Sequence, residues 1–327
     1  MKNFSLSAPN GEELGAVKAA LSEMRGEVHL HEPMGRHTSM KIGGPADALV
    51  VPRDLEDLRT LVLGARKEGV PLFLLGGTNL IVKDGGIRGI VVKLNRLQKV
   101  TCISQTSGPA SDGPPHIIEE GLYAEAGISF PKLSQHALKL GLSGLEFACG
   151  IPGTLGGAIV MNAGTHEGEI ADVLKTLRIM DFEGHVKEYP KGELEFGYRR
   201  SRLPQGIILG AYLKLKGAPR DEIRSRMDFS LNHRRKTQPL HLPNSGCIFK
   251  NPSRDSAGRL IDELQLKGHR VGDAEVSEKH ANFIVNRGRA TAADVLSLIR
   301  EIRQRVKEEK GIEMDLEVMV VGEDLKS

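Results

Sequence analysis

The sequence predicts mixed helix and strand arranged in two or three compact units, and three observations carry that expectation. Short apolar runs of strand type alternate with segments whose apolar residues recur at helical spacing. Many of the 38 glycines cluster in the loops between them, and 327 residues exceed what one small core holds.

Bulk properties narrow the function classes. Lys+Arg of 45 against Asp+Glu of 42 leaves +3, with no long run of either sign, so neither nucleic acid nor a membrane surface is indicated and a small molecule is the expected partner. Cys102, Cys149 and Cys247 make no metal-ligand spacing and no even disulfide set, which fits a reducing cytosol and leaves no metal site to read. The N-terminus lacks a cationic head followed by an apolar core, and no apolar run is long enough to span a bilayer. A cytoplasmic protein starting at or near Met1 is expected.

From Glu12 to Arg25, Leu14, Val17, Leu21 and Met24 mark an amphipathic entry helix. After His37–Asp47 come a strand at Ala48–Pro52 and a helix from Leu55 to Glu68. Pro71–Leu75 reads as a buried strand running into Gly76-Gly77-Thr78-Asn79, followed by Leu80–Val82, a turn at Lys83–Gly86 and a strand at Gly89–Leu94. A Gly-Gly pair at a strand exit can turn successive N–H groups toward an anion such as a diphosphate; equally, it can be a tight turn, and no Lys-Ser/Thr follows as in a P-loop. Gln105–His116, rich in Ser, Gly and Pro, has no periodicity and reads as an exposed loop.

A strand at Leu122–Gly127 leads to a helix through Leu140, with Ser129 as its expected cap and Pro131 in its first turn. The glycine array that follows, with Gly150, Gly153, Gly156 and Gly157, approximates a phosphate cradle without making the dinucleotide fingerprint, which disfavours a Rossmann domain. Cys149 reads as buried filler. Strands at Leu177–Asp181 and Ile207–Leu215 bracket Phe196–Ser201, where Arg199 is either solvated surface or a bidentate clamp on a carboxylate.

A charged helix from Asp221 to Arg235 precedes Ser245–Pro252, which sets Cys247, Lys250 and Asn251 close together on backbone loosened by Gly246 and ended by Pro252. Cys247 is either a small buried hydrophobe or a site residue on a strand of the type Cys-Ile-Phe. A helix starting near Ala257 carries Leu260, Ile261, Leu264 and Leu266 and is expected to end at Gly268, and Asn282–Asn286 reads as a further strand. Thr291 caps a long helix, Ala292 to Lys310, and Met314–Val321 is read as a final strand. That strand leaves Glu317 either on the solvent side of an edge or buried and paired for a purpose.

Taken together, His37–Gly44, Leu75–Leu80, Gly150–Ala158, Phe196–Arg199, Gly246–Pro252, Leu260–Gly268 and Leu316–Val318 resemble the UDP-N-acetylenolpyruvoylglucosamine reductase family, over nearly the whole chain and in the family's order. The resemblance implies an α+β protein with an FAD-binding fold of the vanillyl-alcohol-oxidase (PCMH) type in two lobes, about 1–95 and 96–217, plus a C-terminal α+β substrate-binding domain, 218–327, whose terminal strand returns Glu317 to the active site. It implies non-covalent FAD contacted by Ile42, Gly43, Gly76, Gly77, Thr78, Asn79, Gly150, Pro152, Gly153, Thr154, Gly156 and Gly157. It also implies NADPH as co-substrate, and UDP-N-acetylglucosamine enolpyruvate as a substrate positioned by Tyr198, Lys250 and Asn251. Arg199 and Glu317 would stabilise an enediolate and Cys247, where many members have Ser, would donate a proton. A monomer or weak dimer in cytoplasmic peptidoglycan precursor synthesis is expected.

Two departures accompany the match, Cys247 in place of the more common Ser and the link after Asn251. The short link from Asn251-Pro252 to Ala257 lacks the long insertion that carries a substrate-covering Tyr in some members, so the chain resembles the loop-less second type. Rival readings are a flavin-dependent alcohol oxidase or dehydrogenase of the same fold, and a non-catalytic nucleotide-sugar or flavin-binding protein.

Overall fold

A computed structural model describes residues 11–106, 117–253 and 255–325. Most of the loop expected at Gln105–His116 lies outside them. The N-terminal sheet has the strand order Glu27–Pro33, Pro45–Val51, Ile87–Val92, Leu72–Leu74. Its first pair is antiparallel and the other two are parallel, which requires crossovers. The helix Leu55–Lys67 supplies one of them: Asp54 accepts from the Asp57 amide as N-cap, and Leu58, Leu61, Val62 and Ala65 face the sheet. Leu72–Leu74 is half-buried, less than the apolar run suggests, because it is the edge of that sheet.

A second, antiparallel sheet has the path Val186–Pro190, Leu174–Met180, Ile207–Gly217, Ile117–Glu125, Val100–Thr106. The helix Phe130–Leu140 and the short helix Leu155–Val160 pack on it through Phe130, Leu133, Ala137, Leu155 and Ile159. Ser129 stands at the start of the first helix but caps nothing with its side chain; it instead pairs through its backbone with Thr154, so the glycine array and this helix start together. Met180, Ile207 and Leu209 of this sheet join the core beneath the N-terminal sheet, which fuses the two halves.

The C-terminal part is an antiparallel sheet, Asn244–Cys247, Phe283–Asn286, Ala274–Val276, Arg270–Val271, covered by the helices Ala257–Glu263 and Ala292–Lys310. Thr291 and Asp294 form the expected capping box on the long helix, and Val295, Leu298, Ile299, Ile302 and Val306 are buried at 3% exposure or less. At about 1.5–3 kcal/mol for each fully buried side chain, that face outweighs the helix's weak intrinsic propensity.

Several expected boundaries move, the entry helix ending at Ala20 and three more shifting in the C-terminal part. The helix from Ala257 stops at Glu263, five residues short of Gly268, because Gln265 enters the left-handed region at φ +54°; Leu264 and Leu266 still reach the core from the turn that follows. The strand bearing Cys247 ends there, and Ile248 and Phe249 are both buried instead of alternating. The final strand is only Met319–Val321, and it pairs in parallel with Leu80–Val82 of the N-terminal half. Met40, Ile42 and Ile81 sit in the C-terminal core. The two ends of the chain therefore share one apolar interior, and that interior is what fixes the site.

Candidate active site

The two glycine arrays meet edge on. The amide of Thr154 donates to the carbonyl of Gly76 at 2.8 Å, and its hydroxyl donates to the same oxygen at 2.8 Å. A Cβ on Gly157 would lie 2.5 Å from that oxygen, and one on Gly76 would lie 2.9 Å from Thr154 Oγ1, so side chains at either position would wedge the arrays apart. Gly156 serves packing: its amide donates to Ala126. Gly153, at φ +115°, turns the second array beside Gly77 and Thr78.

Among the described residues, the amides of Gly76, Gly77, Thr78, Asn79 and Gly153 have no acceptor. Unpaired N–H groups on two adjoining, partly exposed loops suit an anionic ligand, and the diphosphate of FAD fits that donor set. Ser39 donates to Thr78 O at 2.9 Å, which draws the His37–Gly44 stretch onto the same loop. Ile42 points its side chain into the C-terminal core, with both its amide and its carbonyl held by the Thr38 hydroxyl, and Gly43, at φ +123°, lies against Val82. Pro152 lies in the link between the short helical turn Glu146–Gly150 and Thr154.

A wall of side chains faces these loops. Arg199 occupies the turn of the hairpin Glu195–Gly197 and Arg200–Arg202 at φ +54°, a conformation that costs a non-glycine residue about 1 kcal/mol or more. The hairpin is tied to the glycine array's helix by Asn162 Nδ2 donating to Gly197 O and Ser201 Oγ donating to Val160 O. From that turn Arg199 Nε donates to Glu317 Oε1 at 3.0 Å, and its guanidinium lies 5.2 Å from the Tyr198 ring, which is 51% exposed.

Glu317 sits at a bend between the Phe249–Leu316 bridge and the strand Met319–Val321. Its amide donates to Ile248 O at 2.8 Å and its carbonyl accepts from Asn79 Nδ2 at 2.7 Å, so its backbone joins the Cys247 segment to the first glycine loop. Burial raises its carboxyl pKa above the usual range, outweighing the downward pull of Arg199. The Cys247 thiol is pushed up to about 12, first by burial and then by Glu317, with Arg199 and Arg234 acting in the opposite direction. Gly246 beside it, at φ +80°, has nothing within 4 Å of where a Cβ would be. A thiol held protonated, a carboxyl whose pKa burial raises, and a guanidinium whose terminal NH₂ groups have no partner among the described residues thus share one wall.

Lys250 donates its amide to Asp315 O, and its charge acts on Glu317. Asn251 accepts the Ala257 amide on Oδ1 at 3.1 Å, which leaves only its NH₂ end for a ligand. Cys149 is buried against Leu138, Ile223 and Met227, as its surroundings in sequence suggest. Sequence reasoning missed three contributors: Ser39, the side-chain bond of Asn79 to Glu317, and Arg234, which reads as one more cation on a charged helix. Nothing in local spacing marks them, because each acts across a long separation in the chain.

Comparison with known proteins gives consistent results. A family model described as UDP-N-acetylenolpyruvoylglucosamine reductase, C-terminal domain, matches residues 238–321, and one described as FAD binding domain matches residues 46–189. The UDP-N-acetylenolpyruvoylglucosamine reductase of Geobacter metallireducens is 45% identical over 93% of this chain and 97% of its own length. That of Moorella thermoacetica is 45% identical over 91% and 95%. Among solved structures, the UDP-N-acetylenolpyruvylglucosamine reductase of Thermus caldophilus is 40% identical, with a TM-score of 0.73, covering 91% of this chain and 99% of that one.

Proposed function

The chain belongs to the UDP-N-acetylenolpyruvoylglucosamine reductase family, an FAD-dependent oxidoreductase of peptidoglycan precursor synthesis with an α+β fold of the PCMH type, and from that premise we propose the chemistry its side chains perform. The substrate is UDP-N-acetylglucosamine enolpyruvate, the product is UDP-N-acetylmuramate, and the electrons come from NADPH in the cytoplasm. The first 217 residues hold FAD and residues 218–327 hold the substrate, in a monomer or weak dimer. The observation that carries this reading is the 3.0 Å pair of Arg199 and Glu317 beside the protonated Cys247 thiol.

An enolpyruvyl ether is a carbon–carbon double bond conjugated to a carboxylate. FAD, when bound, would supply the hydride that the methylene carbon receives. Charge then moves onto the substrate carboxylate as an enediolate, and the free terminal NH₂ groups of Arg199 meet it with a fixed planar fork. Glu317 in its neutral form donates to the same oxygens, which its raised pKa favours. Cys247 gives its thiol proton to the carbon bearing the ether oxygen, so hydride and proton together saturate the double bond. A thiol held up to about 12 is a donor and not a nucleophile at neutral pH. Tyr198, Lys250 and the NH₂ of Asn251 position the substrate.

Anaerobic titration tests this. The yellow protein should bleach with NADPH and recover its colour on addition of one equivalent of the enolpyruvyl substrate. Recovery with simple alcohols' oxidation products or with oxygen alone, and none with the enolpyruvyl ether, would reject the reductase reading in favour of an oxidase.

A further inference from the structure

Arg234 lies in the last turns of the helix Arg220–Thr237, with its stem across Gly150 of the second glycine array. A Cβ on Gly150 would fall 2.7 Å from Arg234 Cδ and 3.3 Å from both Nε and Nη1, so the absence of a side chain at Gly150 is what lets the guanidinium lie there. Two of its neighbours on the helix are engaged: Arg226 with Glu146 and Glu222, and Arg235 with Asn232. Among the described residues, the Arg234 guanidinium has neither a hydrogen bond nor an ion pair, and unlike the other unpaired cations of the helix, Arg220, Arg224 and Lys236, it is half-buried. Burial holds its pKa below the usual arginine range, and the thiols of Cys149 and Cys247 are the groups that act on it.

A cation partly withdrawn from water without a counter-charge is disfavoured, and folds seldom retain one that nothing answers. Its position narrows what answers it. Arg199 already serves the carboxylate side of the wall, through Glu317. Arg234 instead lies against Gly150 of the second glycine array and acts on the Cys247 thiol. FAD that takes up a hydride gains two electrons and one proton, and therefore one negative charge.

We propose that Arg234 is the counter-cation for that charge, and that it sets the reduction potential of the bound cofactor. The proposal rests on FAD binding, and not on which substrate or electron donor the enzyme uses.

The test is the midpoint potential of the holoenzyme, measured by anaerobic equilibration with dithionite and a reference dye, so that neither NADPH nor the enolpyruvyl substrate enters. Arg234→Met should keep oxidised FAD within about threefold of wild-type affinity. It should weaken the preference for reduced over oxidised FAD about a hundredfold, which is about 60 mV lower at 29.6 mV per decade for a two-electron couple. Arg234→Lys should restore most of that preference, and Arg234→Gln should behave as the Met variant does, so the Lys and Gln pair decides the matter if the Met variant does not fold. A change of less than threefold in the neutral variants overturns the proposal. So does an equal loss in Lys and Gln, which would make the effect one of shape. An enzyme that fails to accept electrons from NADPH, yet shows the charge-dependent potential, would sink the proposed donor while leaving this inference standing.

Discussion

The two walls of the cleft are made by opposite means. The wall we propose for the cofactor is backbone with side chains deleted: Gly76 and Gly157 interlock so tightly that a methyl group on either meets the opposite array. The wall we propose for the reaction is side chains delivered from far apart, Arg199 and Glu317 standing 118 positions apart in sequence and Asn79 and Glu317 238. A backbone wall tolerates no added atoms, whereas a side-chain wall fails when a charge or a proton is lost. Substitutions should therefore separate the two by what they damage.

The largest effect is expected on the reaction wall. Arg199→Met should lower turnover about a thousandfold through loss of charge stabilisation in the transition state, with FAD still bound and reducible. Arg199→Lys should also lose mainly turnover, checked by steady-state kinetics; a change confined to KM would mean that Arg199 only binds substrate. On the cofactor wall, Gly157→Ala should cost about 2 kcal/mol of stability and release FAD more readily, read from thermal unfolding and fluorescence of free flavin. Full FAD retention there would show that the arrays can part without loss.

A smaller effect concerns pH. If neutral Glu317 donates, flavin reoxidation by substrate is flat below its raised pKa and falls about tenfold per unit as pH rises through it. Glu317→Gln, slower on the acid side, should lose that alkaline limb, whereas Cys247, held up to about 12, contributes none below about pH 10. Stopped-flow rates across pH would decide, and a limb that survives in the Gln variant belongs to another group. Smallest, and outside both walls, Thr291→Ala should cost about 1 kcal/mol through its lost cap, leaving potential and turnover alone.

The same contrast explains what could be read from the sequence. Glycine arrays are contiguous, so their positions stand out, and the Thr291 capping box marks its helix because both of its partners lie within one turn. The convergence of Arg199, Cys247 and Glu317 could be reached only by resemblance, since no local pattern places Leu316–Val318 beside Ile248 and Asn79. Periodicity also overran its limits. Leu264 and Leu266 are buried from a turn and read as helix, and Glu317 stands at a bend where alternation suggests a strand. Arg234 was invisible for the same reason as Ser39: its surroundings are assembled by the fold.

The proton donor is the most direct point of attack. Enzyme reduced with NADPH and mixed rapidly with the enolpyruvyl substrate should regain its flavin colour slowly or not at all in Cys247→Ala, by at least a hundredfold. Reduction of the flavin should be unaffected in that variant, and Cys247→Ser should reoxidise at a rate near that of the parent. Reoxidation at the parent rate in Cys247→Ala would remove the thiol from the reaction, and with it the claim that this wall supplies the proton.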